Sequence, residues 1–222
     1  MCIRDRLDSV DTIAPFREFN YEARFQEQML EVRLVGLEPD YAKTNRLEIA
    51  AGRFIDQTDM DKTSNVCVLG AEVAQKLFRF ESPIGKSIQV ANRFRFRIIG
   101  VVAEKMSSAG VGSSLSAEDF NRDIYIPLTT DHTRIGDVLF QEKDGERKIE
   151  KIELSQLTVR VKEVDDVKKT ASAIKNLLLA THSQEDFRVT VPLDLLEQRK
   201  ACLLYTSPSP RDRTRSRMPS SA

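Results

Sequence analysis

Hydrophobic and polar positions alternate along the first part of the chain. Residues 12–37 read as extended segments in which aromatic side chains stand among charged ones, and residues 29–36 alternate as a strand does. A turn at 38–41 follows, and we expect residues 41–51 to be helical until Gly52 ends the helix. The pattern therefore predicts strands followed by a short helix.

The middle of the chain predicts a strand, a helix and a hairpin in that order. Residues 65–70 are a short β-branched run that indicates a buried strand, and residues 71–80 place four apolar side chains on one helical face: Val73, Ala74, Leu77 and Phe78. Residues 87–102 predict a hairpin. Its second strand alternates cationic and apolar side chains, as a half-buried strand does: Arg93, Arg95 and Arg97 against Phe94, Phe96 and Ile98.

The closing section predicts both strands and helices. The Ser- and Gly-rich residues 106–121 indicate a loop, residues 123–128 a strand whose Pro127 places it at an edge or an end, and residues 141–148 a charged hairpin tip. A strand at 157–161 precedes a helix that Asp165 can cap. We expect a further strand at 187–191 and a short helix at 193–198.

These elements predict an α+β fold with two lobes. We expect an α/β lobe built from residues 7–33 and 155–200, with a β-rich lobe, residues 34–154, inserted in it. Residues 201–222 show neither helical nor strand periodicity and are expected to be unfolded. Residues 1–6 and 201–222 also resemble translated sequencing-adaptor sequence, so we interpret both ends as artefacts outside the fold.

Charge changes this interpretation once the ends are set aside. The full chain has 34 basic and 34 acidic residues; without two Arg and one Asp in the head and four Arg and one Asp in the tail, 28 basic and 32 acidic residues remain, a net charge of −4. Residues 7–200 therefore carry no stripe of basic side chains that could bind a nucleic-acid backbone, so we expect no nucleic-acid partner. Arg93, Arg95 and Arg97 are either a solvated outer face or a docking surface for an acidic partner.

Candidate chemistry is sparse. Lys86 and Ser87 follow Gly85 as at the end of a phosphate loop, but the earlier glycine is absent and a strand is predicted next, so we interpret the segment as a turn. We interpret Cys67 as a buried thiol, since β-branched residues flank it. No cluster at ligand spacing surrounds His132 or His182, which are expected to be solvated or capping groups. Asp56, Asp59 and Asp61 lack the glycine and the glutamate of an EF-hand loop and are expected to lie in a solvated turn. We therefore expect no enzymatic activity, no cofactor and no metal.

The order of short motifs resembles a known family. The motifs, in order, are Val35-Gly36, Pro39, Tyr41, Gly52-Arg53, Val68-Leu69-Gly70, Leu77-Phe78, Pro83-Ile84-Gly85-Lys86, Ile98-Ile99-Gly100-Val101-Val102 and Ile124-Tyr125-Ile126-Pro127-Leu128. Together they resemble the MacB-like periplasmic core domain of ABC-transporter permeases over residues 32–198. The resemblance implies an α/β lobe similar to the porter units of efflux pumps, with a β-rich lobe inserted in it.

The resemblance also implies a function and partners. In that family the domain lies between the first and second membrane helices, on the periplasmic or extracytoplasmic side of the inner membrane. It implies a mechanical role in substrate export or lipoprotein release, driven by a cytoplasmic ABC ATPase, in a homodimer or heterodimer of permeases. A periplasmic adaptor or outer-membrane channel is left open as a further partner. The competing hypothesis is a free-standing module that binds a peptide or lipid in a cleft between the lobes.

Overall fold

The computed structural model describes residues 9–79, 81–105, 120–136, 138–143, 146–151, 154–181 and 187–191. Ten strands occupy most of these ranges: β1 (Val10–Phe25), β2 (Gln28–Leu37), β3 (Ile49–Gly52), β4 (Val66–Leu69), β5 (Ser87–Val90), β6 (Phe94–Val102), β7 (Asp123–Pro127), β8 (Val138–Lys143), β9 (Glu146–Lys151) and β10 (Gln156–Val161). Five helices accompany them: α1 (Asp40–Thr44), α2 (Gln57–Asp61), α3 (Ala71–Leu77), α4 (Leu128–Arg134) and α5 (Val167–Thr181).

A long hairpin of β1 and β2 organises the main sheet. All of β2 pairs with β1, from Phe16 opposite Leu37 to Phe25 opposite Gln28. The first half of β1 also pairs with β10 on its other side, and its far end pairs with β5 at Ala23 and Arg24. This one strand of 16 residues thus pairs with three others, β10, β2 and β5.

The sheet closes on itself through β5. Its strands follow the order β10-β1-β2-β7-β4-β6-β3, and β5 pairs with both β1 and β6. Six strands therefore form a closed ring, β1-β2-β7-β4-β6-β5, with β10 and β3 paired outside it. Closure satisfies the backbone hydrogen bonds that an open sheet would leave at its edges. The separate hairpin β8-β9 forms a second, two-stranded sheet.

Apolar side chains fill one face of the ring and cover part of the other, because the residues of a strand alternate between its two faces. The inner core is made by one face of the strands and by α3: Ala23, Val32, Leu34, Cys67, Leu69, Val73, Leu77, Phe78, Ile88, Val90, Phe96, Ile98, Ile124 and Ile126. The outer core lies on the opposite face beside α1: Ala14, Phe16, Val35, Leu37, Tyr41, Ile55, Val68, Val102 and Tyr125. Strands buried on both faces explain the continuous apolar runs in β4 and β7.

Hydrogen bonds tie the short helix α4 to the segment that contains α2. The Thr129 hydroxyl donates to the Met60 carbonyl at 2.8 Å, and the Thr130 hydroxyl donates to the Ser64 carbonyl at 2.9 Å. These side-chain contacts anchor a helix of only seven residues, which propensity alone would not stabilise.

The described residues belong to two compact units. The first contains every described strand and ends at Thr170 within α5; the second contains the rest of α5 and residues 187–191. Within the described ranges, no helix combines the length and the apolar character needed to cross a bilayer.

Several sequence predictions are confirmed. The strand at 65–70, the helix after it, the hairpin at 87–102 and the strand at 157–161 are present as β4, α3, β5-β6 and β10. Of the four residues expected on the buried face of α3, Val73, Leu77 and Phe78 are buried and Ala74 is partly buried. Pro127 lies at the end of β7, which pairs on both sides, so the end position is confirmed and an edge position is wrong.

Two predictions are wrong. The helix expected at 41–51 is only α1, because the chain turns at Arg46 with a φ of 51° and then forms β3 against β6. Gly52 ends β3 and not a helix. Residues 187–191 form no strand despite their β-branched alternation, since no partner strand pairs with them in the described ranges.

Other predictions stay open. The loop at 106–119, the helix at 193–198, His182 and residues 1–6 and 201–222 lie outside the described residues. The division into lobes at residues 33/34 and 154/155 stays a prediction; β2 runs continuously across the first of these positions.

Candidate interaction surface and buried ion pairs

The alternating arginines lie on the outside of the ring. Arg95 and Arg97 are exposed on β6, Arg93 is exposed in the turn before it, and the intervening Phe96 and Ile98 are buried in the inner core. The predicted cationic and apolar faces of this strand are therefore confirmed. The proposal that the three arginines dock a partner stays a prediction.

A fourth arginine joins this face from a distant part of the sequence. Arg24 on β1 is opposite Gln89 on β5, and Gln89 is opposite Arg95 on β6. The three side chains form one row across the outside of the ring. We name Arg24, Arg93, Arg95 and Arg97 the arginine face.

A buried ion pair joins β1 to α4. Nη1 of Arg17 lies 2.9 Å from Oδ2 of Asp131, and both side chains are fully buried. The guanidinium also donates to the Gly136 carbonyl at 3.0 Å, and its Nη1 lies 3.2 Å from Nδ1 of His132. Removing either charged partner would leave an uncompensated buried charge, so the pair fixes how α4 sits on the sheet. His132, expected to be solvated or capping, takes part in this cluster.

A second arginine–carboxylate pair links β2 to β7. Arg33 donates to both oxygens of Asp123, from Nε at 2.8 Å and from Nη2 at 2.7 Å, and to Glu18 from Nη1 at 3.0 Å. Burial alone would lower the pKa of Arg33, but the hydrogen bonds and charge of Asp123 outweigh it and raise the pKa. The bidentate geometry fixes the parallel register in which Arg33 faces Asp123.

Tyr125 completes this second cluster. Its hydroxyl lies 3.2 Å from Oδ2 of Asp123, and its ring belongs to the outer core. Burial raises the pKa of the Tyr125 phenol well above its ordinary value, and the Asp123 carboxylate raises it further. The phenol therefore stays protonated and keeps its donor for hydrogen bonding.

A third pair stabilises the start of α2. Arg53 donates to both oxygens of Asp59, at 2.6 and 3.0 Å. Asp59 and Asp56 also form a reciprocal capping box at the first turn of α2. The hydrogen bonds from Arg53 hold the pKa of Asp59 below its usual range. The expectation of a solvated turn is therefore wrong for Asp59, which is buried and paired, while Asp61 is exposed.

The other candidates have structural surroundings. Cys67 is a buried free thiol, as expected, and burial raises its pKa. Lys86 forms an ion pair with Glu81 and lies over the rings of Phe25 and Phe78, and a strand begins at the next residue. Within the part of the chain that the structure describes, no three His, Cys, Asp or Glu side chains converge at a distance suited to a metal ion.

Sequence reasoning missed the buried pairs, because their partners are distant along the chain. Arg17 and Asp131 are more than a hundred residues apart, and Arg33 and Asp123 are 90 apart. The one local signal is that Arg17 and Arg33 each interrupt a run of apolar residues in a strand. A cation on the buried face of a strand requires a carboxylate, but its spacing does not say which one.

The sequence matches a domain family and several of its relatives. The family model of the MacB-like periplasmic core domain matches residues 2–177. A macrolide export ATP-binding/permease protein MacB of Rhodospirillum rubrum is 33% identical over 163 residues, which cover 73% of this chain and 22% of that protein. A macrolide export ATP-binding/permease protein MacB of a Shewanella species is 28% identical over 192 residues, which cover 86% of this chain and 26% of that protein. The chain thus spans about a quarter or less of the length of these relatives.

Two solved structures share the fold. The extracellular domain of the noncanonic ABC-type transporter YknZ from Gram-positive bacteria superposes with a TM-score of 0.65 at 19% identity, covering 85% of each chain. The periplasmic region of MacB from Actinobacillus actinomycetemcomitans also gives a TM-score of 0.65, at 20% identity, covering 92% of this chain and 80% of that one. With the family match over most of its length, this chain belongs to the family of MacB-like periplasmic core domains.

Proposed function

We propose that this chain is the extracytoplasmic domain of an ABC-transporter permease and couples ATP-driven motion of membrane helices to substrate export or lipoprotein release. The observation that carries the proposal is the family match over residues 2–177. We also propose that one lobe is similar to the porter units of efflux pumps. The domain would lie on the periplasmic side of the inner membrane, in a dimer of permeases that works with a cytoplasmic ATPase.

The packing of the sheet supports a mechanical role. The ring has one apolar core on its inner face and a second over part of its outer face, and it resists deformation because a close-packed core has no room for gradual rearrangement. The buried pair Arg17–Asp131 joins a helix to this ring, and the pair Arg33–Asp123 joins two of its strands. Force applied to one element would therefore move the ring as a body.

We propose that the domain has no catalytic role. Three buried carboxylates are described, and each forms an ion pair with an arginine: Asp59, Asp123 and Asp131. A carboxylate held in this way is stabilised as an anion and is a poor proton donor at neutral pH. Such groups fit a structural role better than acid–base chemistry.

A domain exchange tests the proposal. Residues 9–191 would replace the corresponding region of the Rhodospirillum rubrum MacB in a macrolide-sensitive strain, and drug accumulation and ATP hydrolysis would be measured. We expect the chimera to lower accumulation relative to a permease that lacks the domain, and a chimera with an inactive ATPase to give no such reduction. A chimera that hydrolyses ATP but accumulates drug as the domain-deleted permease does would contradict the proposal.

A substitution within the chimera tests coupling itself. Because Asp131 joins α4 to the ring, Asp131→Ala should reduce export per ATP hydrolysed, whereas Asp61→Ala at an exposed position should leave that ratio unchanged. An equal ratio in both variants, at equal amounts of folded protein, would argue against mechanical coupling through this contact.

A further inference from the structure

The arginine face has no carboxylate partner within the described chain. Arg24, Arg93, Arg95 and Arg97 are all exposed, and none of them forms an ion pair with another residue that the structure describes. The guanidinium of Arg93 lies over the Phe94 ring, and Nε of Arg24 donates to a backbone carbonyl. Four exposed cations on one side of a sheet form a positive field that favours an anionic partner.

Two acidic residues lie near Arg24, at one side of the arginine face. Glu22 on β1 and Glu31 on β2 are exposed and lie opposite each other. Glu22 is two residues from Arg24 along β1. The Glu22 carbonyl accepts a hydrogen bond from the Ala91 amide, so Glu22 also borders the turn that carries Arg93, whereas Arg95 and Arg97 lie beyond β5 from β1. The positive field is therefore strongest over β5 and β6.

The spacing of the arginines is fixed by the strands. Alternate residues on a strand are about 6.5–7 Å apart, and residues two strands apart are separated by about 10 Å. Arg95 and Arg97 have the first spacing, and Arg24 and Arg95, on either side of Gln89, have the second. Guanidinium groups bind carboxylates in a bidentate, planar geometry, so this grid can select an extended chain with carboxylates at every second residue.

We propose that the arginine face docks an extended acidic segment of a partner protein. Acidic side chains at alternate positions of that segment pair with Arg95 and Arg97, and the exposed Met29, which is opposite Arg24, supplies an apolar contact at the edge of the face. The backbones of β5 and β6 are already paired with each other, so the side chains of the face make the contact.

The position of the face within the ring favours a protein over a membrane surface. β1 and β10 meet at Val10 and Val161, and the chain continues from β10 towards α5 at that end. Arg24 lies 14 residues along β1 from Val10, roughly 45 Å at the usual rise per residue. On the proposed function, the connection to the membrane that precedes β1 leads from the Val10 end, which puts the arginine face far from the bilayer.

Peptide binding by the full chain tests this proposal. A fluorescent peptide of five Glu-Thr repeats would be titrated at low salt, beside a peptide of the same composition with its glutamates in one block. We expect the repeat peptide to bind more tightly, and the variant Arg93→Glu/Arg95→Glu/Arg97→Glu to weaken its binding by about tenfold or more. Glutamine at the same three positions is a second variant should charge reversal impair folding.

The control variant carries the same change in charge elsewhere. Arg46, Lys62 and Arg134 are exposed and outside the arginine face, so replacing all three by Glu should change binding by no more than about threefold. Equal losses in both variants, or equal binding of the two peptides, would overturn the proposal. Vesicles of phosphatidylglycerol and phosphatidylcholine are titrated in parallel; binding of vesicles without binding of the repeat peptide would also overturn it, in favour of a membrane. None of these results depends on the domain exchange, which tests the proposed function separately.

Discussion

The carboxyl group of Asp131 occupies the space that a side chain at position 36 would need. A Cβ added to Gly36 would lie 2.8 Å from Cβ, Cγ and Oδ2 of Asp131. Gly36 is also the residue of β2 that pairs with Arg17 of β1. The absence of a side chain at Gly36 therefore opens the path by which a carboxylate on α4 reaches an arginine on the sheet.

Gly36→Ala should destabilise the protein by about 3 kcal/mol, because the methyl group displaces Asp131 and weakens its pairing with Arg17. The measurement is urea unfolding followed by circular dichroism, since the chain has no tryptophan. Gly85→Ala is the control: its φ of +83° makes alanine strained, but no atom lies within 4 Å of the added Cβ. It should cost only about 1 kcal/mol.

A double variant separates crowding from backbone strain. An Asp131→Ala background removes two of the three close contacts at Gly36, those with Cγ and Oδ2, and keeps the contact with Cβ. Gly36→Ala should therefore cost about 1–2 kcal/mol less there than in the parent chain. The cost of Gly85→Ala should be the same in both backgrounds. Additive effects at Gly36 would show that the carboxyl group of Asp131 is not what the glycine accommodates.

The buried pair itself should show strong coupling between its members. Arg17→Met or Asp131→Leu alone leaves one buried charge and should cost about 3–5 kcal/mol, whereas the double replacement removes both charges and should cost less than either single one. Urea unfolding of the four proteins gives the coupling energy. If the loss in free energy of unfolding of the double variant equals the sum of the two single losses, Arg17 and Asp131 do not interact as the structure shows.

Local elements were predictable because their signals are local. The strand 66–69 and helix 71–77 follow from a β-branched run and a helical apolar face, and the hairpin 87–102 follows from its alternation. The same reasoning gave a wrong prediction for residues 41–51, because a turn at Arg46 and pairing with β6 decide their conformation. Ring closure depends on only two residue pairs between β1 and β5, which no periodicity indicates.

Part of the arginine face could be predicted from the sequence. Arg93, Arg95 and Arg97 are close together along the chain, so their shared face could be predicted from the alternation of β6. Arg24 could not be added, because its place beside them depends on the register of β1 against β5. The partners of Arg17 and Arg33 could not be predicted before the sheet order was known, since their carboxylates are far along the chain.

The ionised form of Asp59 should stabilise the protein at neutral pH, and this contribution should be lost in acid. Because Arg53 lowers the pKa of Asp59 in the folded state, the contribution is fully present above the unfolded value near 3.8 and is lost as the pH falls through the folded pKa. Asp59→Asn should therefore lower stability at pH 7 by about 1–2 kcal/mol and have a smaller effect near pH 2. The measurement is urea unfolding at a series of pH values.

Asp61→Asn is the matched control for this pH effect. Asp61 is exposed in the same helix and accepts a hydrogen bond from Gln57, which asparagine can also accept. Its substitution should change stability by less than about 0.5 kcal/mol at any pH. If Asp59→Asn lowered the free energy of unfolding by the same amount at every pH, the result would contradict the role assigned to the ionised form of Asp59.

The turn between β5 and β6 is strained at an alanine. Ala91 and Asn92 have φ angles of 53° and 52°, and the turn is closed by the Arg93 amide, which donates to the Val90 carbonyl at 3.2 Å. Glycine reaches this left-handed region without the steric cost that alanine meets, so Ala91→Gly should stabilise the protein by about 0.5–1 kcal/mol. The control is the same replacement at Ala50, an exposed residue of β3 that does not have a positive φ angle. Glycine at this position should destabilise the protein by a similar amount. Because the two changes are chemically identical, opposite shifts in the urea midpoint would trace the difference to the backbone of the turn, and a loss of stability at both positions would show that Ala91 is not strained.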